Sequence, residues 1–140
     1  MSLLHLIYVS SLGADVQESE IVKILASSVR RNGEAGVTGM LLYAGGNFLQ
    51  VLEGERAAVE ETYARIARDP RHHGLIEIER RAVAQRDFPA WSMGFRHLGA
   101  AEVAKVPHAA PLFEVRDPSV IRANPGVALE MLREFAAGNR

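Results

Sequence analysis

No cysteine occurs anywhere in the 140 residues. Disulfides, thiol catalysis and thiolate metal sites are therefore excluded. Neither charge is in excess: 16 basic residues stand against 17 acidic ones, a formal net charge of -1. Such a balance leaves no electrostatic footprint for nucleic acid or an anionic membrane. No run approaches the ~18 apolar residues of a membrane span. Residues Met1 to Ser10 carry no basic region ahead of their short apolar run, so no secretory signal is expected. The expectation is a cytoplasmic protein with no direct nucleic-acid or membrane partner.

Enzyme signatures are missing too. There is no nucleophile elbow, no P-loop and no dinucleotide-binding glycine pattern after a strand. The five histidines are His5, His72, His73, His97 and His108. None is paired at the i, i+4 spacing that sets two metal ligands on one helix face. No metal site and no enzymatic activity are predicted. His72 and His73 are adjacent and read most simply as a polar turn.

What is present is globular in character. Hydrophobic residues make up 48% and charged residues 24%, which suits one domain with a real core. Leu3 to Ser10 is a short run of β-formers, with Leu6, Tyr8 and Ser10 on one face and Ile7 and Val9 on the other. From Gln17 to Arg31 the period becomes helical. Ile21, Ile24, Leu25, Ser28 and Val29 form the inner stripe, and Asn32-Gly33 is the expected stop. Val37 to Tyr43 and Asn47 to Glu53 read as a hairpin joined by Ala44-Gly45-Gly46, with Phe48, Gln50 and Leu52 sharing a face. Glu55 to Arg68 is a second helix with Val59, Thr62, Tyr63 and Ile66 inward, stopped by Asp69-Pro70. Ile76 to Ala84 is a fourth strand that sets Ile76, Ile78 and Arg80 against Glu77, Glu79 and Arg81. Phe88 to Phe95 enters a short fifth strand. Beyond Gly99 the one clear helix signal is Asn124 as N-cap, Pro125, then Val127 to Ala137.

The order β-α-β-β-α-β predicts an α+β, ferredoxin-like fold, a mixed or antiparallel sheet with two helices on one face. A helical extension over 99–140 follows residues 1–98 and is expected to pack back on the sheet as a cap.

Within that frame two polar residues sit where apolar ones belong. Tyr8 lies mid-strand among leucine, isoleucine and valine, and Gln50 lies between Leu49 and Val51. A buried glutamine must partner both amide ends or cost about 1–3 kcal/mol. From the residues alone, a structural tyrosine–glutamine hydrogen bond is the simpler explanation.

Five segments change the balance: LIYVSSL around Tyr8, RRNGEAGVTGMLLY around Asn32, GNFLQVLEGE around Gln50, DPRHHG after the second helix, and FPAWSMGF around Trp91 and Met93. In this order and spacing the chain resembles the BLUF family of flavin-dependent blue-light sensors over residues 3–98. The resemblance implies a flavin inserted between the two helices: FAD by family expectation, with FMN or riboflavin as alternatives. It implies flavin contacts from Tyr8, Ile24, Ser28, Arg31, Asn32, Gln50, Ile66, Asp69, Arg71, His72 and Met93. Among these, Ile24 and Ile66 would be apolar walls and Asn32 would meet the polar edge of the ring. Asp69, Arg71 and His72 would lie near the ribityl and phosphate groups. Tyr8 and Gln50 would be the photoactive pair, Tyr8 transiently donating an electron and a proton while the Gln50 amide rotates or tautomerises. Trp91 and Met93 share strand parity and would carry the signal onward.

No attached effector is visible, so output is expected through a separate partner protein or a homodimer. Two other readings share the topology. One is a ligand-binding or dimerisation module without photochemistry. The other is an acylphosphatase, which wants an arginine after the first strand where Ser11-Leu12-Gly13-Ala14-Asp15 has none.

Overall fold

The computed structural model describes residues 3–89, 93–114, 117–123 and 125–137. Its elements are β1 (Leu3–Leu12), α1 (Glu20–Ala35), β2 (Thr38–Ala44), β3 (Asn47–Glu55), α2 (Arg56–Arg68), β4 (His72–Val83) and β5 (Gly94–His97). Four further helices follow: α3 (Ala100–Val103), α4 (Ala110–Glu114), α5 (Pro118–Arg122) and α6 (Pro125–Ala137). The sheet order is β4-β1-β3-β2-β5. β1 runs antiparallel to β3 and β4, β2 antiparallel to β3, and β5 adds to β2 in parallel. This is the ferredoxin-like arrangement with one extra strand.

The hairpin between β2 and β3 turns through Gly45 and Gly46, whose φ values are +57° and +86°. Two successive positive φ angles match the twist of the flanking strands, and glycine adopts them without steric penalty.

β1 and β3 are buried along almost their whole length, so both faces of the sheet must be covered. On one face Leu4, Leu6, Tyr8, Leu41, Phe48 and Leu52 pack with Ile21 of α1 and Val59 of α2. On the other, Ile7, Val9, Leu42, Leu49 and Val51 pack with Val103, Leu112, Ile121, Met131, Leu132 and Phe135 of the C-terminal helices. Burial of this second apolar face is what holds the tail in place.

Several sequence expectations need correction. α1 does not stop at Asn32-Gly33. It runs to Ala35 and ends at Gly36, whose φ of +72° supplies the left-handed cap, its N–H donating to the Asn32 and Gly33 carbonyls. Asn32 itself is turned into the core, 2% exposed. Val29 lies off the inner stripe and is exposed. β4 begins at His72, so His72-His73 opens a strand and is not a turn. Its simple alternation also fails. A register shift between Ile7 and Tyr8 of β1 places Ile78 with the second-face core, while Arg80 pairs with Glu77 and reaches Glu60 of α2. An inserted residue reverses the parity beyond it. Within the expected helical extension, α3, α4 and α5 carry no helix signal of their own in the sequence, since four or five residues are too few to show a period. The proposed N-cap Asn124 lies outside the described residues.

Candidate functional site

Tyr8 and Gln50 face each other across the β1–β3 ladder, on the side covered by α1 and α2. Both are buried, at 2% and 3% exposure. The Tyr8 hydroxyl donates to Gln50 Oε1. The other amide end, Nε2, donates to the Met93 sulfur at 3.2 Å. Gln50 is thus held at both ends by partners of opposite character, one a donor and one only a weak acceptor. The Tyr63 ring of α2 meets Tyr8 edge to face, with centroids 5.1 Å apart at 64°. Burial pushes the Tyr8 phenol well above its ordinary pKa, with Tyr63 and Asp69 adding to the effect. Tyr8 therefore rests as a neutral hydrogen-bond donor.

This pair forms part of the wall of a cavity of about 340 Å³ between the sheet and the two helices. Its size falls in the range of small-molecule sites. The structure brings Tyr8, Gln50 and Asn32 to its buried wall, Ile24 and Ser28 from α1, and Ile66 from α2. Arg31, Asp69, Arg71 and His72 also line it. Met93 reaches the site through Gln50. Trp91 lies outside the described residues.

Sequence reasoning missed six lining residues: Ser10, Ser27, Leu41, Phe48, Arg65 and Arg68. Ser10 and Phe48 could have been found, since they share parity with Tyr8 and Gln50. Leu41 stands opposite Gln50 in the β2–β3 ladder. Arg65 and Arg68 are placed only by how α2 docks on the sheet.

The outer wall has its own electrostatics. Arg71 clamps Asp69 with Nη2 to Oδ2 at 2.6 Å and Nε to Oδ1 at 3.0 Å. These hydrogen bonds hold the Asp69 carboxyl below the usual carboxylate range. Burial lowers the His72 pKa from 6.5, so its imidazole favours the neutral form. Arg31, Arg65 and Arg68 add positive charge, which suits an anionic group such as a phosphate.

A flavin has a planar apolar ring with one polar edge, a hydroxylated chain and, in FMN and FAD, phosphate. The residues fit such a group. The apolar side chains of Ile24, Leu41 and Ile66 can flank a ring, and Gln50 and Asn32 can meet a polar edge. Ser10 Oγ and His72 Nδ1, both buried, have no protein partner. Buried polar atoms of this kind want a hydrogen-bonding ligand.

Comparison with known proteins agrees with this chemistry. A family model for sensors of blue-light using FAD (BLUF) matches residues 3–94. The beta subunit of the photoactivated adenylate cyclase of Euglena longa is 32% identical over 93 residues, 66% of this chain and 11% of that protein. The chain thus spans about a tenth of the length of that curated relative. The solved dark-state structure of BlrB, a BLUF protein, is 31% identical with a TM-score of 0.75, covering 98% of this chain and 97% of that one. The photo-activated state of BlsA, 23% identical, has a TM-score of 0.79 over 96% of this chain and 94% of that one, a likeness of fold.

Proposed function

This chain belongs to the BLUF family, the sensors of blue light using FAD, and we propose that it is a blue-light photoreceptor switched by the Gln50 amide. The observation that carries this reading is the placement of Gln50 in the cavity wall, between the Tyr8 hydroxyl and the Met93 sulfur.

A bound flavin supplies a strong oxidant on absorbing blue light. Tyr8 would give up an electron to it while the hydroxyl proton moves along the hydrogen bond toward Gln50 Oε1, and recombination would return both to Tyr8, leaving no net change of oxidation state. Gln50 can then rotate about its last side-chain bond. Rotation exchanges two nearly isosteric ends, so the packing around it need not change. The amide N–H now points at the Tyr8 oxygen, and the carbonyl points at Met93. A thioether cannot donate a hydrogen bond, so the Met93 contact is lost in that orientation. The switch therefore registers at Met93 as well as at the cofactor. In the dark the pair returns to the orientation seen here.

The remaining roles follow from position. Ile24 and Ile66 flank the ring, and Asn32 with Ser28 meets its polar edge. Arg31, Asp69, Arg71 and His72 lie along the chain and phosphate, with Ser10 beside them. FAD is the expected flavin, with FMN and riboflavin as competitors. Residues 1–98 act as the sensor and 99–140 as its cap, and output passes to a separate partner protein or through a homodimer. The protein acts as a sensor and not as an enzyme.

The test is the visible spectrum of purified protein before and after blue light. A yellow protein with a small red shift that reverses in the dark supports the reading. Protein that stays colourless after flavin reconstitution would leave a ligand-binding module without photochemistry.

A further inference from the structure

Glu53 is a fully buried carboxylate on the opposite face of β3 from Gln50, three residues along the strand. Beside it, His5 of β1 is also fully buried, and its Nδ1 donates to Glu53 Oε2 at 2.7 Å. The two residues face each other in the β1–β3 register. The backbone N–H of Asp87 donates to the same oxygen at 3.0 Å, and that of Phe88 to Oε1 at 2.7 Å.

A buried carboxylate is costly unless its lone pairs are satisfied. Here they are satisfied mainly by main chain, from the segment that crosses between β4 and β5. His5, Glu53 and Asp87 bring ligand-type atoms within 4.8 Å of one another. Yet both Glu53 oxygens already accept N–H hydrogen bonds, as in a cap on a turn, which is not an open ligand set.

The same crossover is fastened at neighbouring points. Arg86 Nη1 donates to Thr38 Oγ1 at 2.8 Å and to the Glu53 carbonyl at 3.2 Å, while Nη2 donates to the Gly36 carbonyl at 2.8 Å. Phe88 is buried in the second-face core. Met93, five residues further on, is buried in the core of the opposite face with its sulfur against Gln50. Phe88 and Met93 thus pack on opposite faces of the sheet, and Glu53 holds the Asp87–Phe88 segment.

We propose that Glu53 is a positioning residue for the photoswitch: by capping the Asp87–Phe88 turn it sets Met93 against the Gln50 amide. The proposal rests on the photoreceptor reading for its functional consequence, but the placement of Met93 can be measured without light. The role belongs to a residue on the face of β3 away from the cavity, and the Met93 resonance reads the placement of Met93 directly.

The experiment uses the full chain loaded with FAD, carrying ¹³C-methyl methionine, as wild type, Glu53→Ala and Glu53→Gln. Met93→Leu assigns the Met93 methyl resonance. Two quantities are read: the position of that resonance in the dark and the rate at which the light-induced red shift decays. Glu53→Ala is expected to move or broaden the Met93 resonance and to change the decay rate roughly three- to tenfold, tenfold corresponding to about 1.4 kcal/mol of barrier. Glu53→Gln keeps an acceptor for Phe88 and should restore part of both effects. If Glu53→Ala does not fold, Glu53→Gln against wild type carries the test, with smaller changes of the same kind. A Met93 resonance at its wild-type position, or an unaltered decay rate, would overturn the proposal. Absence of any red shift in the wild type would defeat the photoreceptor reading instead, leaving the resonance to judge the placement of Met93.

Discussion

Tyr8 and Gln50 stand opposite each other in the β1–β3 ladder, with their side chains on one face and the phenol donating to the amide carbonyl. The backbone register of two central strands, and not a loop, therefore sets their meeting. A slip of one residue would turn either side chain to the far face. The two strands thus fix the frame in which these side chains meet.

The pair makes a prediction about stability as well as light response. Tyr8→Phe leaves the buried Gln50 carbonyl without its donor and should cost about 1–3 kcal/mol. Gln50→Leu strands the Tyr8 hydroxyl at a similar cost. The double variant removes both partners, so its loss should be smaller than the sum of the singles. Urea midpoints of the four proteins check this. All three variants should lose the reversible red shift, and retention of the shift in either single variant would refute the proposed switch.

His72 makes a prediction about pH. Burial lowers its folded-state pKa below 6.5, so between that lowered value and 6.5 the unfolded chain binds more protons than the folded one. Stability then rises with pH across this window and is complete above it. Urea unfolding of the flavin-free protein between about pH 5 and 7 should show the slope. His72→Phe should reduce it. An equal slope in both proteins would show that His72 is not the responsible group.

Gly39 tests how closely β2 and its neighbours approach. A Cβ there would overlap the Val51 carbonyl oxygen and lie 3.3 Å from the Met93 Cε. Backbone cannot give way as a flexible side chain can. Gly39→Ala should therefore destabilise by more than about 2 kcal/mol, beyond the usual effect of one added methyl group. A urea midpoint within error of wild type would contradict this geometry.

Leu132 tests the cap. It is fully buried in the core between α6 and the sheet. Leu132→Ala removes that packing and leaves a cavity, at a cost of about 2–5 kcal/mol. Denaturant unfolding should show the loss as one cooperative transition if cap and sheet unfold together. A loss under about 1 kcal/mol would mean that α6 contributes little to the folded state.

Much of this architecture is legible from residue order. The period of two in LLHLIYVS places Tyr8 and Ser10 on one face, and the same rule places Gln50 between Phe48 and Leu52. The glycine pair at 45 and 46 announces the hairpin. The motifs around Asn32, Gln50 and Met93 point to the family, and the family model matches residues 3–94. These signals are local, and the alternation of side chains along a strand needs no knowledge of the partner.

Other features depend on what lies across the fold. The end of α1 is ambiguous in sequence because Asn32-Gly33 and Gly36 are all plausible caps. The left-handed φ belongs to Gly36, and Asn32 turns inward. The parity of β4 breaks at a register shift against β1 that no pattern in β4 reveals. Arg65 and Arg68 join the cavity only because α2 docks where it does. His5 and Glu53, 48 residues apart, come together from separate strands.

The sequence by itself determined the alternating faces of β1 and β3, the two helices that follow β1 and β3, and the residues that identify the family. Each of these is a matter of spacing along one chain. Only the tertiary structure decided that Met93 meets the second end of the Gln50 amide, that Glu53 accepts the Asp87 and Phe88 N–H groups, and which residues of the C-terminal helices cover the sheet. Those outcomes are set by burial and by hydrogen-bond satisfaction between distant segments, which no single stretch of sequence contains.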